Sequence, residues 1–394
     1  MQREIALKII QKTISDSSFT NLLMRKELEK LPKIQRPFVT NLVNSVLKKY
    51  HFLEFQHADL YSSCSLRNRI ILSMALYEKF FLNEKDYVVN NEYVNLGKNE
   101  YDKSFINAIL HKITYLKSAS DDYINYSIPE WIYNLLQKQY SSDEFSLILE
   151  NYQRTPITYY RINHHLCDFD SLKHFNIQIL NSNIFTSKDN LINTDEFLKG
   201  YFYVQDINAS SLVDEFVFDK DDLFLDACAA PGSKLFNALE KIKPLNTYAN
   251  DINETRVNLI RNKAILLGFK DVHYSCFDAS RISEYFDFKF DKILLDVPCS
   301  GLGVIGRRSD IKFHIKSTSL DELQAVQKDI LISTSKLLKS GGTMIYSTCT
   351  LNKKENSKQV ESFLLSHTDY KLLKEKTIIN LDGDMFYFAV IKRL

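Results

Sequence analysis

The sequence predicts an α/β domain built on a mostly parallel sheet, preceded by an all-α domain and a small α+β linking module. Three observations predict it. Apolar residues in the first part of the chain recur at helical spacing. After residue 200 the pattern changes to strand, turn and helix, repeated, which places helices on both faces of a parallel sheet. Glycine separates the two styles: nine of the ten glycines lie at position 200 or later, near the ends of apolar runs, and Gly97 is the only earlier one. The boundaries read from these changes are residues 1–120 for the helical domain, 121–200 for the linking module and 201–394 for the α/β domain.

In chain order, Ile5, Ile9 and Ile10 share one helix face. Phe38, Val39, Leu42, Val43, Val46 and Leu47 follow helical spacing behind Pro37, a residue suited to a first helical turn. Residues 69–82 and 105–113 read as further helices. The polar stretch 114–127 joins this bundle to the next segment, where Ile128-Pro129-Glu130-Trp131 opens another helix. Residues 157–162 and 177–180 read as short strands. Beyond Gly200, strands are expected at 223–225, 247–249, 272–275, 292–296 and 343–347. Helices are expected at 235–242, 255–267 and 320–338, with a turn at Gly341-Gly342.

Composition excludes several classes. With 394 residues, 45% hydrophobic and 25% charged, the chain suits a folded protein of two or three domains. It has no apolar run of the roughly 18 residues that a membrane span needs. Its first ten residues lack a signal peptide's apolar core, so a cytoplasmic protein is expected. The six cysteines include no pair at the two-residue spacing of a zinc or thioredoxin site, so free thiols and no metal are expected. Net charge is +1, yet residues 1–120 carry 18 Lys and Arg against 12 Asp and Glu. A basic front end suits phosphate, and equally suits a solvated helical surface.

Four segments carry the chemistry, each at the end of an expected strand, where ligands bind on such sheets. The first is Asp226-Ala227-Cys228-Ala229-Ala230-Pro231-Gly232-Ser233-Lys234. Its small side chains let backbone N–H groups approach a ligand at the positive end of a helix. It lacks the three glycines of the dinucleotide fingerprint and the earlier glycine of a P-loop. The second is Asp251, 19 residues beyond Gly232, where a carboxylate can accept two hydrogen bonds from a ribose diol. Asp278, near the end of the third strand, is placed to reach an adenine edge. Alone, either Asp reads as a helix cap or turn residue. The third and fourth are Asp296-Val297-Pro298-Cys299 and Ser347-Thr348-Cys349-Thr350. A thiolate that adds to C6 of a pyrimidine makes C5 electron-rich, which is covalent catalysis. A positive local field favours the ionised thiol. Asp296 is the candidate to relieve charge developing at N3 of the ring. Either cysteine alone reads as a buried core thiol.

From about Tyr203 onward the chain resembles the RNA cytosine-5 methyltransferases of the NOL/NOP/Sun type. The likeness rests on Val204-Gln205-Asp206, the 226–234 and 251–256 segments, 295–303, 346–350, Glu355-Asn356-Ser357 and Asp384-Met385-Phe386-Tyr387-Phe388. Residues 1 to about 115 resemble a NusB-like RNA-binding domain, through Asn91-Glu92-Tyr93-Val94 and Phe105-Ile106-Asn107-Ala108-Ile109-Leu110. Arg154-Thr155-Pro156 and Arg161-Ile162-Asn163 look like the family's connecting module. The resemblance implies a Rossmann-like class I methyltransferase domain that binds S-adenosylmethionine. Cys228, Ala229, Ala230, Pro231, Gly232, Ser233 and Lys234 would line the cofactor site, with Asp251, Asp278 and Asp296. Cys349 would be the nucleophile, and Cys299 would assist breakdown of the adduct and RNA release. This ranking of the two thiols comes from the resemblance alone. The order of parts implies 16S ribosomal RNA as substrate, free or in an assembling small subunit, and a monomeric enzyme. Transfer RNA is the alternative substrate, and a non-catalytic assembly factor the alternative role. Ser233 and Leu266 depart from the family's usual glycine and arginine. The basic loop 307–312 reads as a phosphate contact, with solvated charge as the alternative.

Overall fold

The computed structural model describes residues 1–16 and 20–394. The chain forms two compact units, Met1–Gln153 with Ile305–Ser317, and Arg154–Val304 with Thr318–Leu394.

In the first unit, helices Gln2–Ser15, Thr20–Leu28, Arg36–Ala58, Leu66–Phe81, Asp86–Val94 and Glu100–Lys112 surround one apolar core. The expected stripes face it: Ile5, Ile9, Ile10, Val39, Leu42, Val43, Val46 and Leu47 are all buried. Pro37 lies in the first turn of its helix. Ser65 and Asn99 each accept a backbone N–H three residues ahead, capping the helices that follow them. The helices Thr20–Leu28, Asp86–Val94 and Ser142–Gln153 are additional to the sequence reading. Residues 122–153, assigned by sequence to the linking module, are part of this unit. They pack through edge-to-face rings, Tyr123 on Tyr133 and Tyr133 on Phe145.

The basic loop also belongs here, and the role expected of its Lys312 is corrected. Lys312 is buried, and its amine donates to the carbonyls of Lys48 (2.7 Å) and Ser127 (2.6 Å). Burial pushes its pKa well below the ordinary lysine range. Arg308 pairs with Asp310 at 3.2 Å. A lysine enclosed by backbone carbonyls is a structural tie and offers nothing to a phosphate.

The second unit holds two sheets. Strands β1 (Tyr159–Ile162), β2 (Ile177–Ile179), β3 (Ile184–Ser187) and β4 (Phe202–Val204) form an antiparallel sheet in the order β2-β3-β1-β4. β4 falls past the expected boundary at residue 200, yet it pairs with β1. The large sheet contains β5 (Phe224–Asp226), β6 (Thr247–Asn250), β7 (His273–Ser275), β8 (Phe290–Asp296), β9 (Leu338–Thr348), β10 (Tyr370–Ile378) and β11 (Phe386–Arg393). Its order is β10-β11-β9-β8-β5-β6-β7. β9, β8, β5, β6 and β7 are parallel, while β11 and β10 close the edge antiparallel. Two apolar clusters cover its faces, one around Phe224 and Leu294, the other around Leu225, Ile293 and Tyr346. The Gly341-Gly342 pair is no turn between elements: it lies inside β9, where a register shift against β8 absorbs it and Gly341 takes φ +81°. Among the described residues no helix is long and apolar enough to cross a membrane.

Candidate active site

The parallel strands end along one edge of the sheet, β5 at Asp226, β6 at Asn250, β7 at Ser275, β8 at Asp296 and β9 at Thr348. Asn250, fully buried, ties three of these ends together. Its Nδ2 donates to the carbonyls of Ala227 and Phe277, both at 3.0 Å. Its Oδ1 accepts from Phe277 N and Ser275 Oγ, both at 2.9 Å. Nothing in the sequence marked this residue, because its partners lie 23 to 27 positions away.

The 226–234 turn is held from three sides. Ala229 N donates to Asn250 O at 2.8 Å, and Ala230 N to Asp251 Oδ2 at 3.3 Å. Gln205 Nε2 donates to Ser233 O at 3.0 Å, which gives the Val204-Gln205-Asp206 segment a physical role. Gly232 takes φ +106°, and a Cβ there would lie 2.5 Å from the Phe236 ring.

A cavity of about 300 Å³ opens beside this turn. Of the residues expected from sequence, Cys228, Ala230, Asp251, Asp278, Asp296, Cys299 and Cys349 line it. Ala229, Pro231, Gly232, Ser233 and Lys234 form the turn without lining the cavity. Ile252, Arg256, Val326 and Ile330 line it as well, and sequence reasoning singled out none of them as a site residue. Asp251 is nearly buried, with Arg256 3.5 Å from its carboxylate. Ile252 is 66% exposed and presents an apolar face at the mouth.

Lys234 lies on Asp296, with Nζ 2.5 Å from Oδ2, and over the Phe386 ring at 5.2 Å. Ser347 Oγ donates to Asp296 Oδ1 at 3.1 Å. Burial works against the Lys234 charge, but the Asp296 charge and hydrogen bond win, with Cys349 adding, and its pKa is raised. Lys234 therefore acts on the carboxylate beside the thiols.

The two thiols meet: Cys299 Sγ and Cys349 Sγ are 3.3 Å apart. The hydrogen bond with Cys349 first, then burial, hold the Cys299 thiol protonated well above the ordinary range. Burial raises Cys228 strongly too, which makes it an unreactive wall of the cavity. Gly303 locks the two cysteine turns together. Its N donates to Cys349 O at 2.9 Å, and its O accepts from Met385 N at 3.0 Å.

Asp226 stands behind this wall with its Oδ1 buried and unpartnered. Burial, then the nearby Asp296, push its pKa up to about 8. In the unfolded chain it ionises near 4, so the folded state retains a proton the unfolded state has lost. Stability is therefore highest below the unfolded value and falls as pH rises through the window up to about 8. Asp226→Asn is expected to flatten that decline and raise the melting temperature at pH 8 by several degrees. Thermal melts at pH 5 and pH 8 check this.

Known proteins are similar to this chain. Residues 217–384 match the family described as 16S rRNA methyltransferase RsmB/F, and residues 1–115 match the NusB family. A Yersinia enterocolitica protein named ribosomal RNA small subunit methyltransferase B is 32% identical over 74% of this chain and 73% of its own length. The chain belongs to the RsmB/F family. Another family relative, from Bacillus subtilis, is named "Probable ribosomal RNA small subunit methyltransferase B" and is 28% identical over 94% of this chain and 89% of its own length. The fold is shared with the crystal structure of PH0851, at TM-score 0.81 and 19% identity over 99% of this chain and 98% of that one. It is shared with NSun6 from Pyrococcus horikoshii, solved with SFG, at TM-score 0.60 and 18% identity over 67% of this chain and 98% of that one. These place the RsmB/F chain on a NusB domain followed by a Rossmann-like methyltransferase domain, as expected from the sequence.

Proposed function

We propose that this RsmB/F chain transfers a methyl group from S-adenosylmethionine to C5 of a cytosine in 16S ribosomal RNA, through a covalent bond between Cys349 and C6. The observation that carries the reading is the thiol pair, 3.3 Å apart, on the wall of the same cavity as Asp251, Asp278 and Asp296.

The residues present fit the methyl donor. Asp251 offers a nearly buried carboxylate for ribose hydroxyls, Ile252 an apolar face for adenine and Asp278 an acceptor for its amine. When bound, S-adenosylmethionine supplies an electrophilic methyl group on a positive sulfur, which also favours a thiolate nearby. The target cytosine leaves its stack to enter the cavity. Cys349 forms the S–C6 bond, and the Asp296–Lys234 pair hydrogen-bonds the ring as charge moves toward N3. C5 gains nucleophilic character and takes the methyl group. A base or water then removes the C5 proton, the S–C6 bond breaks, and Cys349 leaves as thiolate. Cys299, protonated and in hydrogen-bond contact with that sulfur, can donate to it as it leaves.

The test is transfer of a tritiated methyl group to transcribed 16S ribosomal RNA, with digestion to nucleosides. Label in 5-methylcytidine is expected. Label on another base, or only on transfer RNA, rejects the substrate, and no label on any RNA makes the chain an assembly factor.

A further inference from the structure

The mechanism above leaves the fully buried Glu355 unused, as it does Asp226. Glu355 has 0% exposure and accepts four hydrogen bonds. Its Oε1 takes Ser300 Oγ (2.6 Å) and Asn352 Nδ2 (3.1 Å). Its Oε2 takes Ser300 N (2.9 Å) and Gln327 Nε2 (3.0 Å). All four donors are neutral. Ser300 directly follows Cys299, and its Oγ also lies 2.6 Å from Oγ1 of Thr350, which directly follows Cys349. The next residue, Asn356, grips the other turn, accepting from Thr348 Oγ1 at 2.6 Å and donating to Thr350 O at 2.9 Å.

We infer that Glu355 is a positioning residue: its carboxylate joins the Pro-Cys turn to the Thr-Cys turn and thereby sets the spacing of Cys299 and Cys349. The inference rests on the covalent reading proposed above. A carboxylate out of water is costly unless its lone pairs are filled. Here the donors that fill them come from the residue after one thiol, the loop after the other, and a helix beneath both. The arrangement is specific to an acid. A glutamine in its place would turn an NH₂ group toward one pair of these donors, facing either Ser300 N and Gln327 Nε2, or Asn352 Nδ2 and a Ser300 hydroxyl that would have to turn from donor to acceptor. The Glu355 charge also adds to the forces that keep Cys299 protonated.

The test reads the spacing directly, without RNA or methyl donor. Diamide takes two hydrogens from a pair of neighbouring thiols, forming a disulfide as its N=N bond is reduced. The rate at which the Cys299–Cys349 cross-linked peptide appears, followed by mass spectrometry, measures how often the sulfurs meet. Glu355→Gln is expected to slow it about 10- to 100-fold, as for an ångström-scale displacement. Ser300→Ala, which removes one donor, should slow it less, about threefold or more. In methyl transfer, Glu355→Gln should lower kcat with KM for S-adenosylmethionine unchanged, and should leave a denaturation-resistant protein–RNA adduct. Cross-linking within twofold of the parent protein in both variants would overturn the inference. If Glu355→Gln shows no cooperative melt, Ser300→Ala alone decides. Retained methyl transfer in Cys349→Ala would instead defeat the covalent reading and leave the cross-linking result standing.

Discussion

Cys349→Ala should lose methyl transfer by about 10⁴-fold or more, the scale seen when a covalent nucleophile is removed. Its affinity for S-adenosylmethionine should stay within about twofold, because the donor's proposed contacts lie on the turns after β5, β6 and β7. Those turns are held by Asn250, Gln205 and Asp251, none of which touches Cys349. Cys299→Ala separates the two thiols by a different signature. The proposed nucleophile remains, so the S–C6 bond is still expected to form, but the protonated sulfur 3.3 Å away is gone. A protein–RNA adduct that survives denaturing gel electrophoresis is the expected product, with turnover reduced to a small fraction. If Cys349→Ala instead traps the adduct and Cys299→Ala abolishes it, the roles are reversed. RNA containing 5-azacytosine extends the test, since adducts on it should persist with the parent protein and vanish only without the nucleophile.

The second large effect is expected at Gly303, which meets Cys349 only through the backbone. A Cβ there would sit 2.1 Å from Met385 O and 2.8 Å from Cys349 O, both backbone atoms. Neither can swing aside as a side-chain tip would, so Gly303→Ala must part the strand-end turns or break the bonds to Cys349 O and Met385 N. The cost is about 2–4 kcal/mol of stability, in the range of overpacking and lost buried hydrogen bonds together. Activity should fall about 100-fold or more even at temperatures where the variant is fully folded, because the cysteine turn itself moves. Melting curves and initial rates measured together check this. A variant destabilised as expected but with normal turnover would show that the contact serves folding alone.

The helical stripes of the first unit and the ends of the parallel strands were legible in the sequence, since both follow from short-range periodicity. Asp251, Asp278, Asp296, Cys299 and Cys349 were legible for a related reason: a residue just past an apolar strand lands on the ligand edge of an α/β sheet. The antiparallel β10–β11 edge was not legible from periodicity, although Asp384–Phe388 carries part of the family likeness. Lys312 in the basic loop was misleading because a lysine's sequence neighbours say nothing about carbonyls 185 and 264 positions away.

The sequence alone therefore determined the order of helical and α/β parts and the residue types at the strand ends. Backbone propensity and hydrophobic spacing act over a few residues, and those features need no more. Only the tertiary structure decided that Lys234 sits on Asp296, that Glu355 spans both cysteine turns, and that two sulfurs 50 positions apart touch. Such contacts arise when separate strands are brought side by side, and their energies depend on burial and distance that no local pattern encodes.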